Sequence, residues 1–241
     1  MALNSFLTAA DSARVALTFR KLALHGISRW ALTGGVAIEL HILRCGGQPI
    51  VRRLRDIDFI AASFDSIPAA IGSELLLRHV HPHDLPGKNM LQGVDQEAGV
   101  RVDVFRAYGL GMERTSPIEI ALLGVRLVSL HDLVARHARL NWDLVQDKPI
   151  APKYARDFLR LVDLVPTGEV ESVWQEHRKS QSPESFAETV RELRRVIASR
   201  SDLLIPPTYS TNLRELCPRC QAAESFPLAD ASRIFSILGY C

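Results

Sequence analysis

An α+β fold, with a mixed β-sheet flanked by helices and followed by a C-terminal helical region, is predicted by three features of the sequence. Short strand-like runs recur through the first half: Ser28 to Thr33, Arg55 to Ala61, Asn89 to Asp95 and Val100 to Ala107. Helix-period stretches lie before and between the first two of these runs. Past residue 128 the composition turns to amphipathic segments, LHDLVARHARLNWDLV, KYARDFLRLVDLV, VESVWQEHRKS and ESFAETVRELRRVIASR, each with the apolar stripe of a packed helix. The division expected is a core over 1–128 and a helical region over 129–241.

Taken in order, residues 5 to 25 place apolar side chains at helical spacing, with Ser5 as cap and Gly26 as stop. The strand SRWALT then ends at Gly34-Gly35, and helical spacing resumes over Val36 to Leu43, so the glycines mark a strand-to-helix turn. Cys45-Gly46-Gly47-Gln48-Pro49 breaks that helix. Ile67 to Leu77 reads as a helix, HVHPHDLPGKN as a loop with strand-like edges, and Gln96-Glu97-Ala98-Gly99 as the connection between two strands. Ile118 to Leu130 fits either a strand pair or a strand entering a helix. Pro152 and Pro183 fall near helix starts, where proline is tolerated.

With 241 residues, 47% apolar and 23% charged, the chain has the composition of an ordinary globular protein of one or two domains. A net charge of +2 is too mild to mark a nucleic-acid binder by itself. No run approaches the roughly 20 apolar residues of a membrane helix. Asp11, Arg14, Arg20 and Lys21 interrupt the N-terminal stretch, which therefore lacks the apolar middle of a signal peptide. The expectation is a cytoplasmic protein with no membrane partner, whose Cys45, Cys217, Cys220 and Cys241 stay reduced.

The chemistry concentrates in RRLRDIDFI and RVDVF. In a strand, residues two apart share a face, so Asp56 and Asp58 point together while Ile57 and Phe59 anchor the opposite side. Asp103, between Val102 and Val104, has the same setting and can join them from a neighbouring strand. Crowded carboxylates repel unless a cation compensates. An all-oxygen set suits Mg²⁺ or Mn²⁺, which complete their shells with water and substrate phosphates. The plainer reading of Asp56-Ile57-Asp58 is a strand with an acidic solvent face. A glycine pair before a helix lets the backbone approach a phosphate, and the order of glycine turn, helix, Asp-x-Asp strand and later Asp strand weighs for a metal-dependent phosphoryl-transfer site.

In LTGGVAIEL, RRLRDIDFI and RVDVF the chain resembles the DNA polymerase β-like nucleotidyltransferase superfamily, and most of all its minimal bacterial, AbiEii-like toxin-type members. SLHDLVARHARL and KYARDFLRLVDL are similar to the helices that follow the core in that group. The resemblance spans residues 28 to 165. It implies transfer of a nucleoside monophosphate from an NTP to a hydroxyl of RNA (tRNA included), a protein or a small molecule, and an antitoxin as a further partner. It assigns Asp56, Asp58 and Asp103 as catalytic metal ligands, with Asp103 also the base, and Gly34, Gly35, Arg52 and Lys153 as nucleotide-binding residues. The sequence departs from the family pattern at Gly35 and Leu54, where members often carry a hydroxyl residue, and at His137, where they often carry lysine. A module that binds nucleotide or a partner without turnover is the alternative.

Other signals have two readings each. Arg52, Arg53 and Arg55 are phosphate ligands or solvated loop charges. Lys153, Arg156 and Asp157 face a nucleotide or form a surface ion-pair set. His79, His81 and His83, and Cys217 with Cys220 and Cys241, carry metal-ligand residue types but fall short of a complete site. The arginines of RELRRVIASR follow an RNA backbone or form a solvated helix face.

Overall fold

The structure, a computed structural model, describes residues 3–26, 29–54, 56–62, 71, 75–80 and 90–206. The chain begins with a 3₁₀ turn at Leu3–Ser5 and helix α1 at Ala9–Leu24. Thr8 caps α1 by accepting from Asp11 N at 3.1 Å, so the expected cap at Ser5 is displaced into the preceding turn. Strand β1 (Trp30–Thr33) runs directly into α2 (Gly34–Arg44). Strands β2 (Asp56–Ala61), β3 (Leu76–Val80), β4 (Met90–Asp95) and β5 (Val100–Arg106) follow. The expected helix over Ile67 to Leu77 fails at its end, because Leu76 and Leu77 pair with β4 as strand residues.

The segment after Thr115 resolves as a hairpin of β6 (Ser116–Ile120) and β7 (Leu123–Leu127). Its two-residue turn places Ala121 and Leu122 at φ +52° and +66°, the left-handed pair that matches the twist of a tight hairpin. Among the described residues four α-helices follow: α3 (Leu130–Val145), α4 (Pro152–Val162), α5 (Thr167–His177) and α6 (Phe186–Ser199). Ser129 caps α3, Pro152 opens α4 where its missing N–H has no cost, and Ser185 caps α6.

The seven strands among the described residues form one mixed sheet in the order β3-β4-β5-β2-β1-β7-β6. Antiparallel pairing joins β1 to β2, whereas β1–β7 and β2–β5 are parallel. On one face of the centre, Phe59 meets Phe19 of α1 edge-on at 5.8 Å and Trp30 at 5.6 Å. Helices α2, α3 and α4 contact one another, and α3 reaches the opposite face of β5 through Arg136 and Phe105. One apolar core runs from Phe6 through the sheet to Phe158, Trp174, Phe186 and Leu193. No helix among the described residues is long and apolar enough to cross a membrane.

A charged clamp fixes α2 to the segment before β2 and to α4. Glu39 is 0% exposed. Arg160 donates to both its oxygens at 2.6 and 2.9 Å, Arg52 Nε to one at 2.6 Å, and the Ile50 amide to the other at 3.0 Å. The rest of the Arg52 guanidinium forks onto Asp157 at 2.6 and 3.2 Å. Burial alone would push the Glu39 carboxyl upward, but the bonds from Arg160 and Arg52 outweigh it and hold the group below the usual glutamate range. At the other side of α3, Asp132 accepts from Arg114 at 2.9 and 2.8 Å and lies 3.1 Å from His177 Nε2.

Removing Arg52 leaves Glu39 and Asp157 buried with one cation fewer. Arg52→Ala should therefore lower stability by about 3–5 kcal/mol in denaturant titrations; a loss within about 1 kcal/mol would show that the clamp is not a stabilising element. Because Glu39 is depressed in the folded state, its contribution is present above the ordinary glutamate pKa of about 4.3 and is lost as pH falls below it. Urea midpoints should accordingly drop through this acid range more steeply in the wild type than in Arg52→Ala.

Candidate metal and phosphate site

Register places the acidic group. Thr33, the last residue of β1, pairs with Asp58 of β2, and Asp58 pairs with Asp103 of β5, so the three lie in one row across three adjacent strands. Asp56 lies one pleat away, opposite Arg101. Ile57, Phe59, Val102 and Val104 are all buried on the other face, which locks the aspartates outward, since a one-residue slip would exchange the two faces. Asp56, Asp58 and Asp103 each offer a carboxylate oxygen, and these oxygens lie within 4.8 Å of one another. That spacing fits ligands of one divalent ion, each roughly 2.0–2.6 Å from it.

Charge in this row is only partly compensated. Arg101, two residues before Asp103 and on the same face, bonds to Asp56 and holds its Nε 3.1 Å from Asp103 Oδ2. Among the described residues no ion pair reaches Asp58. Enclosure by the protein, then the charges of Asp56 and Asp103, push its carboxyl well above the usual aspartate range. The donor set therefore fits a divalent cation: it is all oxygen, it converges, and it is repulsive on its own.

Beside this row stands the start of α2. Gly34 takes φ +65°, and a Cβ there would lie 1.8 Å from Asp58 Oδ2 and 2.7 Å from its Cβ. Only glycine lets the turn and the carboxylate share that space. Gly35 is different, since its Cβ would rest 3.4 Å from the Arg52 guanidinium in ordinary contact. The first turn of α2 presents unpaired N–H groups and the positive end of its dipole toward the same space.

These elements open into a cavity of about 660 Å³, lined by the trio, Thr33 to Val36, residues 50 to 54, one stripe of α3 and the start of α4. That is room for a nucleotide-sized ligand. Arg52 reaches the wall with its guanidinium committed to Glu39 and Asp157. Lys153 lies exposed at the start of α4, its Nζ 5.2 Å from the Tyr154 ring, with no ion pair among the described residues. Arg156 reaches Asp157 at 3.5 Å. His137 is buried in the cavity wall, and burial lowers its pKa to about 4, so it is neutral near pH 7.

Of the other residues singled out from sequence, Cys45 is exposed and free. His79 lies on β3, while Arg55, His81, His83, Cys217, Cys220 and Cys241 lie outside the described residues. On α6, Arg194 pairs with Asp163 and Arg195 with Glu192, each at 2.5 Å, and Arg200 follows the helix to pair with Asp202 and Asp147. Sequence reasoning passed over Glu39, Arg101 and Arg136. The signal available for Arg101 was its i, i+2 spacing from Asp103, which puts both on one strand face.

No protein-family model matches this sequence, and no curated protein matches it. Among solved structures, one described as an antigenic nucleotidyltransferase-like protein from Paracoccidioides brasiliensis is similar. It aligns over 83% of this chain and 94% of its own, at 16% identity and a TM-score of 0.47.

The two glycines should respond differently to substitution. Gly34→Ala forces a left-handed alanine into Asp58 and is expected to cost about 1–3 kcal/mol, whereas Gly35→Ala should stay within about 0.5 kcal/mol. Equal losses in thermal or urea unfolding would contradict the close approach at Gly34.

Proposed function

We propose that this chain is a metal-dependent nucleotidyltransferase that moves a nucleoside monophosphate from an NTP to a hydroxyl acceptor. The observation that carries the reading is the convergence of Asp56, Asp58 and Asp103 beside the glycine turn of α2, within one cavity. A lone acidic strand face needs neither the third carboxylate from β5 nor the N–H groups of a helix start. A bound Mg²⁺ or Mn²⁺ would screen the phosphate charge and polarise the reacting oxygens.

In this reading the turn at Gly34 and Gly35 holds the triphosphate through backbone N–H groups, and Lys153 meets it from the opposite rim. Asp103 takes the proton of the attacking hydroxyl. The hydroxyl oxygen bonds to the α-phosphorus as the bond to the bridging oxygen breaks, and pyrophosphate leaves with that electron pair. Arg52 acts on the nucleotide through the cavity wall it braces. The acceptor is a hydroxyl of RNA, such as tRNA, of a protein or of a small molecule. We extend the reading to an AbiEii-like, toxin-type enzyme of the cytoplasm that pairs with an antitoxin.

A second reading, a nucleotide- or partner-binding domain without turnover, is favoured by Arg101, whose single charge already offsets part of the charge of Asp56 and Asp103. Incubation with each α-labelled NTP, Mg²⁺ or Mn²⁺, and total RNA or lysate distinguishes them. Wild type should transfer label, and Asp56→Ala/Asp58→Ala should lose at least about 100-fold, as expected when the metal clamp is removed. Equal transfer by both proteins would sink the catalytic assignment, and NTP binding without transfer by wild type would favour the binding domain.

A further inference from the structure

Six cationic side chains line the cavity: Arg52, Arg53, Arg101, Arg136, Lys153 and Arg156. Most are either spent or unrestrained. Arg52 is held by Glu39 and Asp157, Arg101 by Asp56 and Asp103, and Arg156 lies against Asp157. Arg53 and Lys153 are exposed, and ordering a long exposed side chain on a ligand carries an entropic cost.

Arg136 differs from all five. It belongs to the stripe Leu133, Arg136, His137 and Leu140 that α3 turns toward the cavity. Its guanidinium carbon lies 4.6 Å from the centre of the Phe105 ring. Among the described residues it has no carboxylate partner. A guanidinium stacked on an aromatic face is held in place while its N–H groups remain available around the edge.

Its position relative to the acidic row follows from the strand. Phe105 lies two residues beyond Asp103 on the same face of β5, about 6.6 Å along the strand. Arg136 therefore packs over the next position on that strand face beyond Asp103, and its charge acts on Asp58. A cation held at the trio attracts phosphate oxygens, and an arginine held beside the same row is placed for a further phosphate of the same chain. Bidentate contact with phosphate is what the guanidinium fork favours.

We infer that Arg136 is a phosphate-binding residue of this cavity, gripping the β- or γ-phosphate of a nucleotide whose α-phosphate sits at the acidic trio; the inference rests on the nucleotidyl-transfer reading above. The residue is a pre-positioned cation, and its partner chemistry is a polyphosphate.

Titration calorimetry on the full chain tests this, using inorganic tripolyphosphate and each NTP with Ca²⁺ to suppress turnover, the four nucleosides, and Mn²⁺ alone. Relative to wild type, Arg136→Ala should weaken tripolyphosphate and the bound NTP by about 10- to 100-fold, and Arg136→Lys should recover part of that loss. Nucleoside affinity should remain unchanged, and Mn²⁺ affinity should not fall in Arg136→Ala, because a cation that repels the metal has been removed. Thermal unfolding confirms that each variant is folded, and Arg136→Gln replaces the alanine variant if that one is not. If wild type binds tripolyphosphate and the variants bind it equally well, or if only Mn²⁺ affinity changes, Arg136 serves only the packing of Phe105 or the charge of Asp58, and the inference is overturned while nucleotidyl transfer stands. If wild type binds neither tripolyphosphate nor any NTP, the functional reading fails with it.

Discussion

Parallel pairing of β2 with β5 sets Asp58 against Asp103, and every other feature of the site is arranged around that register. The pairing is enforced from the opposite face, where Ile57, Phe59, Val102 and Val104 are buried in the core. The hydrophobic effect thereby holds two negative charges side by side that electrostatics alone would separate. Burying four such side chains offsets repulsion of this kind, because each contributes roughly 1.5–3 kcal/mol. Gly34 completes the arrangement by giving Asp58 the space that a side chain would otherwise fill.

Much of this was legible in the sequence. Period-two alternation around Asp56 and Asp103 revealed both strands and the faces of their side chains, and the glycine pair marked the start of α2 at the right position. Amphipathic spacing identified the helices after Leu127 because each buries one continuous stripe. The hairpin of β6 and β7 was ambiguous for a physical reason. Its turn uses Ala121 and Leu122 at positive φ, with none of the Gly or Asn that normally announce such a turn.

The charges were the harder part. A sequence gives the number of arginines but not their partners, and Arg52, Arg101 and Arg136 are chemically identical until the fold assigns them. One is consumed by buried carboxylates, one by the acidic row, and one rests on an aromatic ring. Glu39 escaped notice because a lone glutamate on an otherwise apolar helix looks like a surface residue. Its partners lie 13 and 121 positions further along the chain, a separation that no local pattern reports.

That separation has a consequence for how the chain is made. Synthesis runs from the N-terminus, at about 5–20 residues per second, so α2 emerges well before Arg160 exists. Until then Glu39 has only Arg52 as a cationic partner, and enclosing a carboxylate that is short of partners is unfavourable. The nascent sheet can pair its strands, yet the wall between α2 and α4 closes only once the second arginine has left the ribosome. The wall of the cavity is thus sealed only after α4 has been made.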